Sequence, residues 1–250
     1  MKHLIISALA LFFLFSCQKE KQRKLRIDPV DILNPAQPGF NKDGSDFRAI
    51  EIADRVMLAM GGRKNWDQTR FLTWNFFGGR THTWDRYEGR DSIFIHKDST
   101  IIDVNINTLE GRLFMGGEEI TNADSLSKYL QWGKEAWIND SYWLVMPFKL
   151  KDNGVTLKYL GEEEDPDGAY CHVLELTFES VGVTPQNKYE VMVDTSSMLV
   201  SHWKYYPQAD MDTARIVSPW KDYQKYGDIL LSGERGFNQL SNIEVLEQWP

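Results

Sequence analysis

The first strong pattern of apolar positions in the chain has the spacing of an α-helix. Apolar residues recur there at intervals of three and four, which places them on one helix face: Ile50, Ala53, Val56, Met57 and Met60. Asp46 precedes this run as a candidate N-cap, and Gly61-Gly62 follows it as a stop signal. A shorter helix over residues 63–68 is predicted next, with Trp66 as its apolar anchor.

After residue 70 the period shortens to two residues, which is typical of β-strands. Alternating runs rich in aromatic residues are separated by short turn signals: Glu88-Gly89-Arg90, Gly116-Gly117, residues 165–168 and residues 195–197. Leu126, Tyr129 and Leu130 return to helical spacing, and they predict two short helices that end at Pro147. Strands joined by such turns indicate antiparallel sheet, so the pattern predicts a mainly β (α+β) fold of about ten strands with a helical insertion.

The amino-terminal residues have a different character. Residues 4–15 form a short apolar run behind Lys2, and such a run is too short to cross a bilayer, which takes ~20 residues. A basic start, a short apolar stretch and a small residue before a cleavage point are typical of a secretory signal peptide. We therefore expect residues 1–16 to be a signal peptide.

The end of this run, Leu14-Phe15-Ser16-Cys17, resembles the lipobox of bacterial lipoproteins. The resemblance implies that Cys17 is the first mature residue and carries acyl chains on its sulfur and its amino group. Two or more chains hold a protein on a membrane, whereas one gives reversible attachment. Gln18 resembles an outer-membrane sorting signal, so we expect an anchor in the outer membrane of the cell envelope, facing the periplasm or the exterior. An export signal that merely contains a cysteine is the alternative.

Residues 17–44 mix basic residues with prolines, which predicts a flexible tether, and residues 45–250 are predicted to form one domain. The net charge is −8, without a basic stripe, which excludes a nucleic-acid binder because such binding rests on neutralising phosphates. With Cys17 lipidated, Cys171 has no disulfide partner. We interpret Cys171 as a small buried apolar group, because the adjacent His172 points to the opposite face of a strand.

Motifs that carry catalysis or hold a metal are missing from the sequence, including HExxH, GxSxG and phosphate-binding loops. We therefore predict no enzymatic activity, no metal and no cofactor. His82 and Asp85 fall on opposite strand faces, whereas His96 and Asp98 share a face and are interpreted as a surface ion pair. The acidic run over residues 162–168 lacks the alternating spacing of a calcium loop and is interpreted as a solvated turn.

Three stretches of the sequence form a set: a strand, Asp-led turn and return strand over residues 187–199, a tyrosine followed by glycine and an apolar strand over residues 220–231, and residues 140–150. Together they resemble the LolA/LolB-type lipoprotein-carrier superfamily, and residues 140–150 also resemble uncharacterised envelope lipoproteins of Bacteroidota. The resemblance implies an incomplete antiparallel β-barrel whose concave face is apolar and covered by the helices. A lipid anchor departs from the soluble carriers of that superfamily.

By this resemblance the concave face accepts the acyl chains of a lipid or lipoprotein. The expected wall residues are aromatic: Trp74, Phe76, Trp84 and Phe94. The expected lid residues are mostly unbranched methionines, which adapt to varied ligand shapes: Met57, Met60, Trp143 and Met146. We expect the protein to be a monomer. Two alternative functions stay open: a saccharide-binding protein, and a structural or interaction lipoprotein whose core is filled by its own side chains.

Overall fold

The structure of the protein, a computed structural model, describes residues 33–179 and 182–250. The predicted signal peptide, Cys17 and the first part of the tether therefore lie outside the described residues. Asn34 and Gln37, from the later part of that tether, contact the folded chain: Asn34 Nδ2 donates to Asp54 Oδ1 at 2.7 Å and the Gln37 amide donates to the Lys151 carbonyl at 3.0 Å. Across the described ranges, no helix has both the length and the apolar character required to span a membrane.

Helices α1 (Phe47–Ala59) and α2 (Arg63–Gln68) occupy the predicted positions. The helix ends before Gly61-Gly62 as predicted, but the predicted side-chain cap at its start is wrong. Asp46 stands at the N-cap but makes no side-chain cap bond; its Oδ2 instead accepts the Tyr159 amide at 3.0 Å, and Lys158 lies 3.2 Å from Oδ1. The carboxylate thereby ties the start of the helix to a neighbouring strand.

The predicted helical pair is a single helix, α3 (Ala123–Val145), of 23 residues, followed by a 3₁₀ turn, Met146–Lys149. Leu126, Leu130, Gly133 and Trp137 continue one helical period without a break, so no second start is needed. Asn122 caps the helix by accepting the Ser125 amide at 3.0 Å. Pro147 sits in the first positions of the 3₁₀ turn, where its missing amide hydrogen costs no helical hydrogen bond.

Fourteen strands occur in the described residues, against about ten predicted. In chain order they are β1 Phe71–Phe76, β2 Arg80–Asp85, β3 Arg90–Ile95, β4 Thr100–Asn105, β5 Gly111–Met115, β6 Glu118–Glu119, β7 Val155–Glu164, β8 Tyr170–Phe178, β9 Lys188–Asp194, β10 Val200–Tyr206, β11 Ile216–Pro219, β12 Lys221–Tyr226, β13 Ile229–Arg235 and β14 Asn238–Leu246. The sequence pattern missed β14 because Asn242 adopts a φ of 50° and interrupts the alternation of buried Leu240 and Ile243.

The strands form a nine-stranded sheet in the order β12-β13-β14-β1-β2-β3-β4-β5-β6 and a five-stranded sheet in the order β11-β10-β9-β8-β7. Every strand pair is antiparallel. Within the described residues no strand joins the two sheets into a closed barrel. This arrangement, with α1 and α2 on the amino-terminal side and α3 in the middle of the chain, confirms the predicted mainly β, incomplete-barrel fold.

Two hydrophobic clusters fill the interior. The main cluster joins both sheets to α1 and the carboxyl-terminal half of α3, and it is rich in tryptophan and methionine. The aliphatic cluster lies between the amino-terminal half of α3 and strands β3 to β5, and its buried members are Ile93, Ile102, Val104, Ile106, Leu113, Leu130 and Ala136. Trp137 packs against both clusters and marks their border along α3.

Candidate functional site

The residues predicted to line a lipid site fall into three environments. Most are buried in the main cluster: Met57, Met60, Trp74, Phe76, Trp84 and Met146. Trp143 packs against that cluster but keeps partial exposure. Phe94 lies on the outward face of β3, 39% exposed, because its neighbour Ile93 faces the aliphatic cluster. The structure therefore brings seven of these eight residues to one interior and leaves Phe94 outside it.

The interior of the main cluster is filled by side chains. Trp74, Leu144 and Leu231 have no accessible surface at all, and a residue without accessible surface cannot line a cavity that admits a water-sized sphere. A cavity of about 220 Å³ lies elsewhere, beside Phe40, Ile50 and Lys151. That volume is below the roughly 300–1,000 Å³ of ordinary ligand pockets. A ligand therefore reaches the main cluster only if the side chains or α3 move.

Several polar atoms buried in and around the main cluster have no hydrogen-bond partner among the described residues. They are the indole nitrogens of Trp74, Trp84, Trp203 and Trp220, the indole nitrogen of Trp137 at its border, and the hydroxyl of Tyr142. Burial raises the pKa of Tyr142 well above its ordinary value, so the hydroxyl keeps its proton. Each unmatched group costs roughly 1–3 kcal/mol of desolvation. The apolar interior thus contains hydrogen-bond donors that the chain itself does not satisfy.

A row of partly exposed rings borders the main cluster where α3 meets the five-stranded sheet. This aromatic rim consists of Phe77, Tyr142, Trp143, Phe178 and Tyr189. Trp143 and Tyr189 contact the buried Trp203 with ring centroids 4.6 and 4.9 Å apart, and Tyr142 lies 5.6 Å from Tyr189. The rim therefore continues without a gap into the interior.

A buried charged cluster, the histidine latch, fixes α3 to the nine-stranded sheet. It consists of Arg80, His82, Asp91 and Asp140. His82 Nδ1 lies 2.7 Å from Asp91 Oδ2, and its Nε2 lies 2.9 Å from Asp140 Oδ2. Arg80 donates two hydrogen bonds to the same Asp140, from Nε to Oδ2 at 2.5 Å and from Nη2 to Oδ1 at 3.0 Å. Asp140 is the α3 residue among them, so every bond it makes to Arg80 and His82 crosses from the helix to β2.

His82 and Asp140 stabilise each other's charged forms, whereas burial raises the pKa of Asp91 above its ordinary value. Burial lowers the pKa of His82, but the two carboxylates outweigh burial and raise the pKa to about 9. Burial likewise raises the pKa of Asp140, and hydrogen bonds from His82 and Arg80 outweigh it and hold the pKa below its ordinary value. His82 is therefore an imidazolium at neutral pH with both nitrogens engaged. Such a ring is available neither as a general base nor as a metal ligand.

A second tie holds the carboxyl-terminal half of α3. Arg235 on β13 donates from Nη2 to the carbonyl of Trp143 at 2.7 Å, and its guanidinium lies 3.7 Å from the ring centre of Trp220. Burial lowers the pKa of Arg235 to about 9. This bond joins the rim to the nine-stranded sheet.

The histidine latch was missed by the sequence analysis, although a signal was present. A hairpin turn around Glu88-Gly89-Arg90 pairs Trp84 with Asp91, as the structure shows, and so places His82 and Asp91 diagonally on one sheet face. Asp140 was not predictable in this way, since it comes from a helix far along the chain. The predicted ion pair of His96 with Asp98 is wrong: the His96 ring contacts Thr81 Oγ1 at 2.9 Å and the Gly78 carbonyl at 3.0 Å.

The outward face of the five-stranded sheet carries another polar cluster, made of Asp165, Asp167 and His202. The prediction of a fully solvated acidic turn is wrong at Asp165, which is 6% exposed. Its Oδ1 accepts the amides of Asp167 and Ala169, both at 2.9 Å, because the turn folds back over the carboxylate. No pattern in the sequence predicts that His202, on β10, lies beside this turn.

Cys171 lies next to this cluster. Burial raises the pKa of its thiol to about 11, so it is not a thiolate at neutral pH. Its sulfur lies 3.4 Å from Ser201 Oγ, whereas His172 faces the other way and contacts Glu162 at 3.0 Å. The thiol therefore has no adjacent base of the kind that a cysteine nucleophile requires.

No family model matches the chain, and no curated protein matches it. Among solved structures it is similar to a DUF1329 family protein from Desulfovibrio piger, with 13% identity, 81% of this chain and 95% of that chain covered, and a TM-score of 0.44. A putative outer membrane lipoprotein-sorting protein domain from Vibrio parahaemolyticus is similar at 8% identity, with 81% and 94% covered and a TM-score of 0.40. A LolA superfamily protein from Nitrosomonas europaea is similar at 11% identity, with 79% of this chain and 94% of that chain covered and a TM-score of 0.38. Each of these likenesses concerns the course of the chain and not a ligand.

Proposed function

We propose that the protein is a non-catalytic lipoprotein, anchored through Cys17 in the outer membrane of the cell envelope, that binds the acyl chain of a lipid or lipoprotein. The acyl chain enters at the aromatic rim and lies in the main cluster beneath the carboxyl-terminal half of α3. Trp74, Phe76, Trp84, Met57, Met60 and Met146 surround it, and Trp143 stands at the entrance. Phe94 has no part in the site.

The observation that carries this proposal is the set of unmatched donors in the apolar interior. In a core that serves packing alone, a buried indole nitrogen without an acceptor is unfavourable. Aliphatic or phenylalanine side chains would fill the same space without the cost of desolvating the N–H group. An ester or carboxyl group at the head of an acyl chain supplies the acceptors. The Tyr142 hydroxyl is such a donor within the rim itself. The indole of Trp203 contacts rim residue Trp143, and the indole of Trp220 lies next to it with ring centroids 5.5 Å apart.

The free energy available from burial is sufficient to move the helix end. A chain of about sixteen carbons gains on the order of 10 kcal/mol at ~0.8 kcal/mol per methylene, before ordering costs. The groups that must move include Met146, whose flexible side chain adopts new rotamers at low cost. Asp140 lies five residues before Val145, the last residue of α3, so the latch holds most of the helix while the residues beyond it shift.

Catalysis is not part of the proposal. His82 has both nitrogens engaged, and the raised thiol pKa of Cys171 keeps it protonated. Acyl chains are bound by burial and hydrogen bonding alone.

The test uses a soluble form that begins at Gln18, purified from its native envelope and analysed by native mass spectrometry and lipid extraction. We expect a co-purifying acyl lipid and saturable uptake of a fluorescent fatty acid. Trp143→Ala together with Tyr189→Ala, at the rim, lowers that uptake. Phe94→Ala is the matched control, because it removes an aromatic ring from the outward face of the same molecule and leaves uptake unchanged.

Two outcomes contradict the proposal. An empty protein that takes up no fatty acid indicates a structural or interaction lipoprotein with a filled core. Binding of glycans, abolished by the rim variant while fatty acid has no effect, indicates a saccharide-binding protein instead.

A further inference from the structure

The cluster of Asp165, Asp167 and His202 has the geometry of a cation site, on the face of the five-stranded sheet opposite the main cluster. Asp165 and Asp167 come from the turn between β7 and β8, and His202 comes from β10. The strand β10 has a register irregularity between Val200 and His202, which brings both Ser201 and His202 toward the turn. One ligand atom from each of the three residues lies within 4.8 Å of the others.

The protons of the His202 ring can be assigned from its surroundings. Nδ1 lies 3.1 Å from Asp165 Oδ2, and this carboxylate is held in place by the two amides on its other oxygen. A carboxylate only accepts, so Nδ1 carries a hydrogen and donates it to Asp165. In a neutral ring, Nε2 then presents a lone pair. That lone pair faces Asp167 Oδ2, 3.5 Å away, which is also an acceptor.

Two acceptors at this distance are bridged either by a proton on Nε2 or by a metal cation. Zinc bonds to nitrogen and oxygen ligands at about 2.0–2.1 Å in a tetrahedron, which separates two ligand atoms by about 3.3 Å. The 3.5 Å between His202 Nε2 and Asp167 Oδ2 is close to that separation. A carboxylate on the other ring nitrogen, here Asp165, is the arrangement that orients metal-bound histidines.

Lys221 currently supplies positive charge at this position. Its Nζ lies 2.6 Å from Asp167 Oδ2, and both side chains are about half exposed. An exposed lysine swings away at small cost, since exposed ion pairs contribute little. Lys221 is therefore a competitor of a metal ion for Asp167, and not a permanent part of the site.

We propose that His202 Nε2 and Asp167 Oδ2 bind a divalent transition cation of the zinc type, with water in the remaining positions and Asp165 orienting the ring. An imidazole ligand favours zinc over calcium or magnesium, which prefer oxygen ligands throughout. This inference opposes the sequence-based expectation that the chain binds no metal, which rested on spacing along the chain. It is independent of acyl-chain binding, because the site and the main cluster lie on opposite faces of the sheet.

The experiment titrates Zn²⁺ into the mature full chain in detergent by isothermal calorimetry. We expect one zinc ion per chain, with His202→Gln or Asp167→Asn weakening the affinity at least tenfold, and Asp165→Asn by about tenfold to a hundredfold. Lys221→Met strengthens the affinity about tenfold, because an ammonium no longer repels the metal at this site. Glu162→Gln and His172→Gln are the matched controls. They alter a histidine–carboxylate pair on the inward side of the same sheet and leave zinc binding unchanged.

Either of two results overturns the proposal. The first is no zinc binding at micromolar concentrations by a chain whose circular dichroism shows that it is folded. The second is zinc binding that Asp167→Asn or Lys221→Met leaves unchanged, which would mean that His202 is an imidazolium held by two carboxylates and that zinc binds elsewhere.

Discussion

Helix α3 covers two interiors that are built differently. Its amino-terminal half rests on the aliphatic cluster, whose buried members are hydrocarbon side chains without polar atoms. Gly133 allows close approach there: a Cβ at this position would lie 3.0 Å from Ile102 Cγ2. Its carboxyl-terminal half rests on the main cluster, with buried tryptophans that lack acceptors and with the charged histidine latch at the boundary. The first interior is optimised for packing, whereas the second keeps polar groups that packing alone does not explain.

The largest expected effect comes from the latch. Asp140→Asn leaves the buried His82 imidazolium and the partly exposed Arg80 guanidinium with one carboxylate fewer. Removing one partner of a buried ion pair costs about 3–5 kcal/mol. We expect the free energy of unfolding in urea to fall by about that amount. Glu135→Gln, an exposed carboxylate on the same helix, is the control and leaves it unchanged. A loss no larger than that of the control would show that the latch does not hold α3.

The next prediction tests whether the aliphatic cluster is separate from the main cluster. Leu113 is fully buried in it, and Leu113→Ala leaves a cavity that costs about 2–5 kcal/mol in urea unfolding. Because the variant removes no group of the main cluster, fatty-acid uptake stays at the level of the unmodified protein. A variant that loses uptake while it remains folded would mean that the two interiors are not separate.

Overpacking at Gly133 has a smaller effect of the same sign. Gly133→Leu places extra carbon against Ile102, Val104 and Ile93, which costs about 1–3 kcal/mol in spite of the better helix propensity of leucine. The control is Lys134→Leu, the next residue along the same helix. Gly116→Leu would not serve, because the φ of 56° at Gly116 strains any side chain. Thermal unfolding distinguishes the two. Equal stability of both variants would contradict the close approach.

The pH dependence of stability sharpens the account of the latch. The pKa of His82 is raised from 6.5 to about 9 in the folded chain, so its stabilising contribution is complete below about pH 6.5 and is lost as pH rises through about 9. Asp140 has a lowered pKa, so its contribution is present above its ordinary pKa and is lost in acid. The difference in unfolding free energy between the unmodified protein and His82→Gln therefore shrinks from pH 6 to pH 10. A constant difference would mean that the ring is neutral throughout.

The smallest expected effect on stability is the most informative about the main cluster. Trp203→Phe removes apolar area but also removes an unmatched donor worth roughly 1–3 kcal/mol, so the two changes nearly cancel in urea unfolding. Fatty-acid uptake falls, because an acceptor on the ligand loses its partner. A strongly destabilised variant with unchanged uptake would show that the indole nitrogen has no ligand to bind.

The sequence predicts much of the fold because its signals are local. Helices α1 and α2, the turns at Gly116-Gly117 and at residues 195–197, and the mainly β class follow from period and turn residues. The prediction of two short helices is wrong because the helical period continues through Gly133, where the absence of a side chain allows close approach to Ile102. β14 was missed because the left-handed conformation of Asn242 interrupts its alternation.

The sites were harder to predict because they are assembled across the fold. The aromatic strands predicted Trp74, Phe76 and Trp84 as interior residues, and these three are buried. Phe94 was assigned to the wrong face of its strand, because an error of one residue in register reverses the face of every side chain. Asp140 reaches His82, and Asp165 reaches His202, only through tertiary packing. No spacing along the chain carries that information.

The most direct test of the account is photocross-linking of a sixteen-carbon fatty acid with a diazirine near its tail to the soluble chain, with the adducts mapped by mass spectrometry. We expect adducts in the main cluster and the aromatic rim, at residues such as Met146, Trp203 and Tyr189, and none at Ile102 or Leu113 in the aliphatic cluster. Adducts confined to outward side chains such as Phe94 and Phe237, or no adducts at all, would contradict the claim that the main cluster accepts an acyl chain.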